Sequence, residues 1–137
     1  MENEIPIVIL NHGKFGEELI HSAELIVGQT TNVKAISLLQ GTAIEEYYEI
    51  VKHALLELEG EAIVLTDMFG GTPSNIALML QKERRIRILC GVNLPMLLEL
   101  LVSREVVQPI GQLLEKAVSA ARNAIYQPKE ISLEELD

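Results

Sequence analysis

Short apolar runs alternate along the chain with stretches in which apolar residues recur every three or four positions. Pro6 to Leu10 is an Ile/Val-rich run ending at Asn11-His12-Gly13, the pattern of a buried strand followed by a turn. From Phe15 the period changes: Phe15, Leu19, Ala23, Ile26 and Val27 share a helical face, and Gly28 is the stop signal. Val33 to Leu39 is a second strand. Thr42, with Glu45 three residues on, reads as a capping box; the helix it opens carries Ile44, Tyr48, Val51, Leu55 and Leu58 on one face and ends at Gly60. Ala62 to Thr66 is the third strand. The loop Asp67-Met68-Phe69-Gly70-Gly71-Thr72-Pro73 follows it, with Thr72 as N-cap and Pro73 at the first position of a short helix reaching Lys82. Arg85 to Cys90 is the fourth strand. Asn93 caps a further helix with Pro95 at its first position, running to Ser103. Pro109 opens a last one through Leu113, Leu114, Ala117, Val118 and Ala121.

Strands separated by helices build right-handed βαβ units. The expected fold is α/β: a doubly wound, mostly parallel sheet of order 2-1-3-4, covered by helices on both faces. One domain spans residues 1–127, and residues 128–137 form an acidic, poorly ordered tail. The order 2-1-3-4 places a switch point between strands one and three, where ligands and chemistry collect at the carboxyl ends of the strands. His12 follows strand one and Asp67 follows strand three, on the two sides of that crevice.

Composition narrows the partners. Of 137 residues, 48 % are hydrophobic and 23 % charged, which is a globule rather than a disordered chain. Aromatics are 4 %, so the core is aliphatic. The formal net charge of -9 argues against nucleic acid and anionic membrane, both of which need a basic face. Cys90 is the one cysteine, which excludes an intramolecular disulfide and fits a reducing compartment. The amino terminus has no signal-peptide pattern, and no apolar run nears the roughly 20 residues of a spanning helix. These features lead to a cytoplasmic protein as the expectation.

His12 and Asp67 suggest a nucleophile and its orienting group. An imidazole must present one bare ring nitrogen to attack phosphorus. A carboxylate that accepts a hydrogen bond from the other nitrogen fixes that tautomer and supports the developing positive charge. Gly70 and Gly71 let backbone approach an anion, the following helix offers free N–H groups, and Thr72 and Ser74 add hydroxyls, so these four are the candidate phosphate-binding residues. Taken alone, Gly-Gly-Thr-Pro reads first as a tight turn with a cap. Lys14 is either a solvated lysine or a steering charge. His21 and His53 read as surface residues of helices, and Cys90 as a small core residue. Leu94 and Met96 fit an apolar docking patch and core packing equally well. No metal or other cofactor is called for.

Four stretches carry a family resemblance: Ile-Val-Ile-Leu-Asn-His-Gly at residues 7–13; Gly-Glu-Glu-Leu-Ile at 16–20 with Ala23-Glu24 and Gly28; Leu-Thr-Asp-Met-Phe-Gly-Gly-Thr-Pro-Ser-Asn at 65–75; and Gly-Val-Asn-Leu-Pro-Met-Leu at 91–97. The chain resembles the IIA component of the mannose-type branch of the bacterial phosphoenolpyruvate-dependent sugar phosphotransferase system. That resemblance implies phosphorylation of His12, with Asp67 orienting it. It implies donation by the histidine-phosphorylated carrier protein, acceptance by a IIB component and only indirect contact with the membrane IIC and IID components. It also implies a homodimer that exchanges a terminal strand, here near Ala124 to Gln127. Met68 is a departure that removes any hydroxyl contact from that position. Because the chain stops at Asp137, it is expected to be a separate subunit rather than a fusion to IIB. A response-regulator receiver would need an acidic cluster after strand one where this chain has Asn11-His12. A histidine phosphatase would need an Arg at position 11. The remaining alternatives are the phosphoryl-transfer subunit of a dihydroxyacetone kinase and a regulatory protein that reports phosphorylation state.

Overall fold

Strands β1 (Ile7–His12), β2 (Val33–Leu38), β3 (Ala62–Thr66) and β4 (Ile86–Cys90) pair in parallel in the order β2-β1-β3-β4. They are seen in a computed structural model that describes residues 4–130 and 132–136. The first residues of the acidic amino terminus and positions 131 and 137 of the tail lie outside the described residues. β1 runs two residues beyond its apolar run because its ladder with β2 continues through Asn11↔Ser37 and His12↔Leu38. His12 is therefore the last residue of the strand, held by a central ladder, rather than part of the turn after it.

Five α-helices join and cover the strands: α1 (Phe15–Val27), α2 (Ile44–Leu56), α3 (Thr72–Leu80), α4 (Leu94–Ser103) and α5 (Ile110–Asn123). Alternation along the strands sends side chains into two cores. Ile7, Ile9, Ile63 and Leu65 pack on α1, α4 and α5 through Ala23, Leu97, Leu100, Leu113 and Ala117. Val8, Leu10, Ala62 and Val64 pack on α2 and α3 through Tyr47, Val51, Leu55, Ile76, Ala77 and Leu80. Thus α1 leaves β1 on one face and α3 leaves β3 on the other, which opens the crevice at the carboxyl ends of these two strands.

Helix boundaries and faces differ in detail from the sequence pattern. Ala43, not Thr42, is the N-cap of α2, and no side chain caps it. The Thr42 backbone N–H instead closes a turn onto the Leu39 carbonyl at 3.1 Å. The buried stripe of α2 is Tyr47, Val51 and Leu55, while Ile44 is exposed and Tyr48 half-buried. Gly71, not Thr72, is the N-cap of α3, because the first helical bond runs from the Asn75 N–H to the Gly71 carbonyl at 3.0 Å. Thr72 and Pro73 are the first and second helical residues. Asn93 does cap α4, its side chain accepting the Met96 N–H at 3.0 Å, with Pro95 second in the helix. In α1, Ala23 is buried but Phe15, Ile26 and Val27 are exposed. Beyond α5, residues 125–130 are in neither helix nor strand, and Leu133–Glu135 form a short exposed 3-10 turn.

The opposite end of the sheet is tied by Arg104, which caps α4 and is 4 % exposed. Its guanidinium donates to the carbonyls of Ile5 and Asn32, each at 3.1 Å, to the Thr31 carbonyl and to the Glu4 carboxylate. Burial lowers the pKa of Arg104, and the nearby Glu4 and Glu105 carboxylates oppose that shift.

Candidate active site

β1 and β3 are neighbours, so the residues leaving their carboxyl ends face one another. One oxygen of Asp67, Oδ2, accepts the backbone N–H of His12 at 2.8 Å and lies 2.8 Å from its ring Nδ1. The other, Oδ1, accepts the Met68 N–H at 2.9 Å. An ionised carboxylate only accepts, so in a neutral ring this contact selects the tautomer with the proton on Nδ1 and the bare nitrogen at Nε2. The Asp67 side chain is 15 % exposed and that of His12 46 %, so the carboxylate is sheltered and the ring is open to solvent.

The Cε1–Nε2 edge of the ring lies against the start of α3. A Cβ built on Gly71 would stand 2.8 Å from His12 Cε1 and 3.3 Å from Nε2, so only glycine lets the ring lie there. Gly70 has φ +94°, the left-handed region that glycine adopts without strain. Ser74 is fully buried, and its hydroxyl accepts the Gly70 N–H at 2.9 Å and donates to the Gly71 carbonyl at 3.1 Å. That hydroxyl is engaged within the turn. Thr72 is half-buried at the first helical position. The N–H groups of Thr72 and Ser74 precede the first helical bond and Pro73 has none. Among the described residues these two N–H groups have no backbone partner, so α3 begins with two donors and its positive end just after Gly71, the residue that lies against the ring.

Two buried polar residues support this crevice and were not singled out by sequence. Tyr47 donates its hydroxyl to the Ile36 carbonyl at 2.7 Å. Burial pushes its pKa up and the Asp67 charge adds to that, against the pull of a hydrogen bond from the Asn11 backbone N–H. Asn11 is fully buried behind His12. The sequence also gave no weight to an apolar rim. Phe15, Leu39, Met68 and Phe69, all at the carboxyl end of the sheet, are exposed around the crevice. Their signal was position: large apolar residues in or beside the loops that follow strands.

The other candidates lie elsewhere. Lys14 is exposed at the N-cap of α1 and makes no capping hydrogen bond. His21 and His53 are exposed on α1 and α2, 3.5 Å from Glu18 and 3.9 Å from Glu49. Met96 is buried, and Leu94, half-buried, packs against the same core. Cys90 is a half-buried free thiol at the end of β4.

The family described as PTS system fructose IIA component matches residues 6–118. The chain belongs to that family. It is 38 % identical over 104 residues to the PTS system fructose-specific EIIA component of Bacillus subtilis, covering 74 % of this chain and 71 % of that one. It is 34 % identical over 127 residues to the mannose-specific EIIAB component of Escherichia coli K12, covering 88 % of this chain and 38 % of that longer protein. Among solved structures, EIIA from Streptococcus agalactiae superposes with a TM-score of 0.83 at 31 % identity, covering 90 % of this chain and 96 % of that one. The mannose/sorbose-specific IIA subunit from Enterococcus faecalis gives 0.86 at 25 % identity, covering 95 % and 98 %. As a IIA component the chain is a phosphotransferase that accepts a phosphoryl group and passes it to IIB. This favours the transport-system reading over the dihydroxyacetone-kinase subunit and the reporter protein.

Proposed function

We propose that Nε2 of His12 takes the phosphoryl group from the histidine-phosphorylated carrier protein and yields it to a IIB component. The observation that supports this most is the double use of Asp67 Oδ2 by the His12 N–H and ring Nδ1. In the transfer, the bond from phosphorus to the donor's ring nitrogen breaks as the bond to Nε2 forms in line with it. The proton stays on Nδ1, where Asp67 balances the charge that the ring acquires. The phosphoryl oxygens meet the free N–H groups of Thr72 and Ser74 and the Thr72 hydroxyl. Gly70 and Gly71 shape that cradle, and the Ser74 hydroxyl holds it. A helix end stabilises an exposed anion by about 0.3–1 kcal/mol, which poises the group for onward transfer rather than trapping it.

Both partners need Nε2, so they bind in turn, and each covers the rim of Phe15, Leu39, Met68 and Phe69 while it does. Among the described residues no helix is long and apolar enough to cross a membrane. The chain acts in the cytoplasm and meets the membrane components only through IIB. Its functional unit is a homodimer. Ile125 and Tyr126 are exposed after α5, β4 is an open sheet edge, and a segment near Ala124 to Gln127 from a second copy can pair with that edge.

The reading is tested by incubation with phosphoenolpyruvate, the first enzyme of the system and the carrier protein, then with IIB. The expected result is a gain of one phosphoryl group that is lost on adding IIB and never appears in His12→Ala. Full phosphorylation of folded His12→Ala would overturn it.

A further inference from the structure

Asn11 precedes His12 in β1, so strand alternation puts its side chain on the opposite face of the sheet, against α1. It is fully buried. Its Nδ2 donates to the Gly13 carbonyl at 2.9 Å, with the His12 carbonyl at 3.3 Å and Ser37 Oγ at 3.4 Å also in reach. These acceptors fix which end of the amide is which. Its Oδ1 is buried without a hydrogen-bond partner and faces Gly16, where a Cβ would come within 2.2 Å of it. One amide thus joins the ends of β1 and β2 and the turn after His12, and packs against the first turn of α1. A buried oxygen without a donor costs stability, so what this side chain contributes lies on its nitrogen, at the two carbonyls that follow the imidazole.

We propose that Asn11 is a positioning residue for phosphoryl transfer. By holding the His12 and Gly13 carbonyls, it fixes the backbone from which the His12 N–H and ring both reach Asp67 Oδ2. Gly13 stands at φ +60° with its N–H on the Leu38 carbonyl at 2.9 Å. The turn after His12 therefore has two anchors, that bond and the Asn11 amide. Releasing the amide lets the His12 backbone rotate. The ring then leaves Asp67, and Nε2 leaves the start of α3. Asn11 itself touches no phosphoryl group. This role in transfer rests on His12 being the phosphorylated residue.

The test uses full-length protein with isotope-labelled histidine nitrogens, read by NMR, together with single-turnover transfer from the phosphorylated carrier protein. The wild-type His12 ring is expected to show one neutral tautomer, protonated on Nδ1. Asn11→Ala is expected to give mixed tautomers at His12 and transfer slowed about tenfold to a hundredfold. Asn11→Ser keeps one donor and is expected to recover part of both. A folded Asn11→Ala protein with the wild-type tautomer and rate overturns the proposal. If the alanine variant does not fold, Asn11→Leu, which fills the same space without a donor, decides: mixed tautomers with slowed transfer support the role, and wild-type values overturn it. If wild-type protein is not phosphorylated on His12, the functional reading fails, while the tautomer comparison still decides whether Asn11 positions the ring.

Discussion

Asp67 Oδ2 stands 2.8 Å from both the backbone nitrogen and the ring Nδ1 of His12. Two donors from one residue converge on one oxygen, so the ring cannot turn without giving up half of that grip. The second oxygen of Asp67 also faces a donor, the Met68 N–H. An asparagine at this position has only one acceptor for two N–H faces. If its oxygen keeps Met68, its amide points at His12 and leaves the wrong ring nitrogen bare. Asp67→Asn is expected to fold, checked by circular dichroism, and to slow single-turnover transfer by about a hundredfold or more. Asp67→Ala removes the repulsion between carboxylate and phosphate, so its phosphorylated form is expected to hydrolyse more slowly even as transfer slows.

The two glycines of the turn are expected to fail differently. Gly71→Ala puts a Cβ against the imidazole at a backbone conformation any residue adopts (φ -93°, ψ 174°). It is expected to displace the ring and lower transfer with little change in melting. Gly70→Ala meets open space but must hold φ +94°. It is expected to cost about 1 kcal/mol of stability or somewhat more through backbone strain. Melting curves and transfer rates of the two variants, measured side by side, separate these effects.

Arg104 is expected to matter for stability alone. Truncation to Ala leaves three backbone carbonyls and the Glu4 carboxylate without the guanidinium, at the end of the sheet away from His12. Breaking a buried charged network in this way costs about 3–5 kcal/mol. Denaturant unfolding is expected to show that loss, while transfer per folded molecule stays at the wild-type level.

Glu24 supplies a pH-dependent term. Its carboxylate accepts the Thr30 N–H at 3.2 Å and the Thr30 hydroxyl at 3.0 Å, and these bonds, the backbone one first, lower its pKa. A lowered folded-state pKa means the contribution is complete above the ordinary carboxylate range and disappears as pH falls through the folded value. Melting temperatures of wild type and Glu24→Gln are therefore expected to differ at neutral pH and to converge in acid.

Much of this was legible in the chain. Val8, Leu10, Val64 and their neighbours form unbroken apolar runs because both faces of a parallel sheet are covered, and Gly28 and Gly91 mark where α1 and β4 stop, whereas α2 ends at Leu56, short of Leu58 and Gly60. The switch-point rule then paired His12 with Asp67 without any contact being known. What escaped was set by side-chain direction across distant segments. Tyr47 and Tyr48 look alike in sequence, yet the Ile36 carbonyl takes the Tyr47 hydroxyl, and the buried stripe of α2 follows it. Ser74 reads as a free phosphate donor until the turn shows its hydroxyl bonded to Gly70 and Gly71. Arg104 carried no signal in the chain, because the carbonyls that hold it come from around β1 and the start of β2.

The most direct measurement is NMR on the enzymatically phosphorylated protein with isotope-labelled histidine nitrogens, which reports both the residue and the ring nitrogen that carry phosphorus. The expected result is a single phosphohistidine at His12, with phosphorus on Nε2 and the proton retained on Nδ1. Phosphorus on Nδ1 of His12, or on His21 or His53, would contradict the assignment.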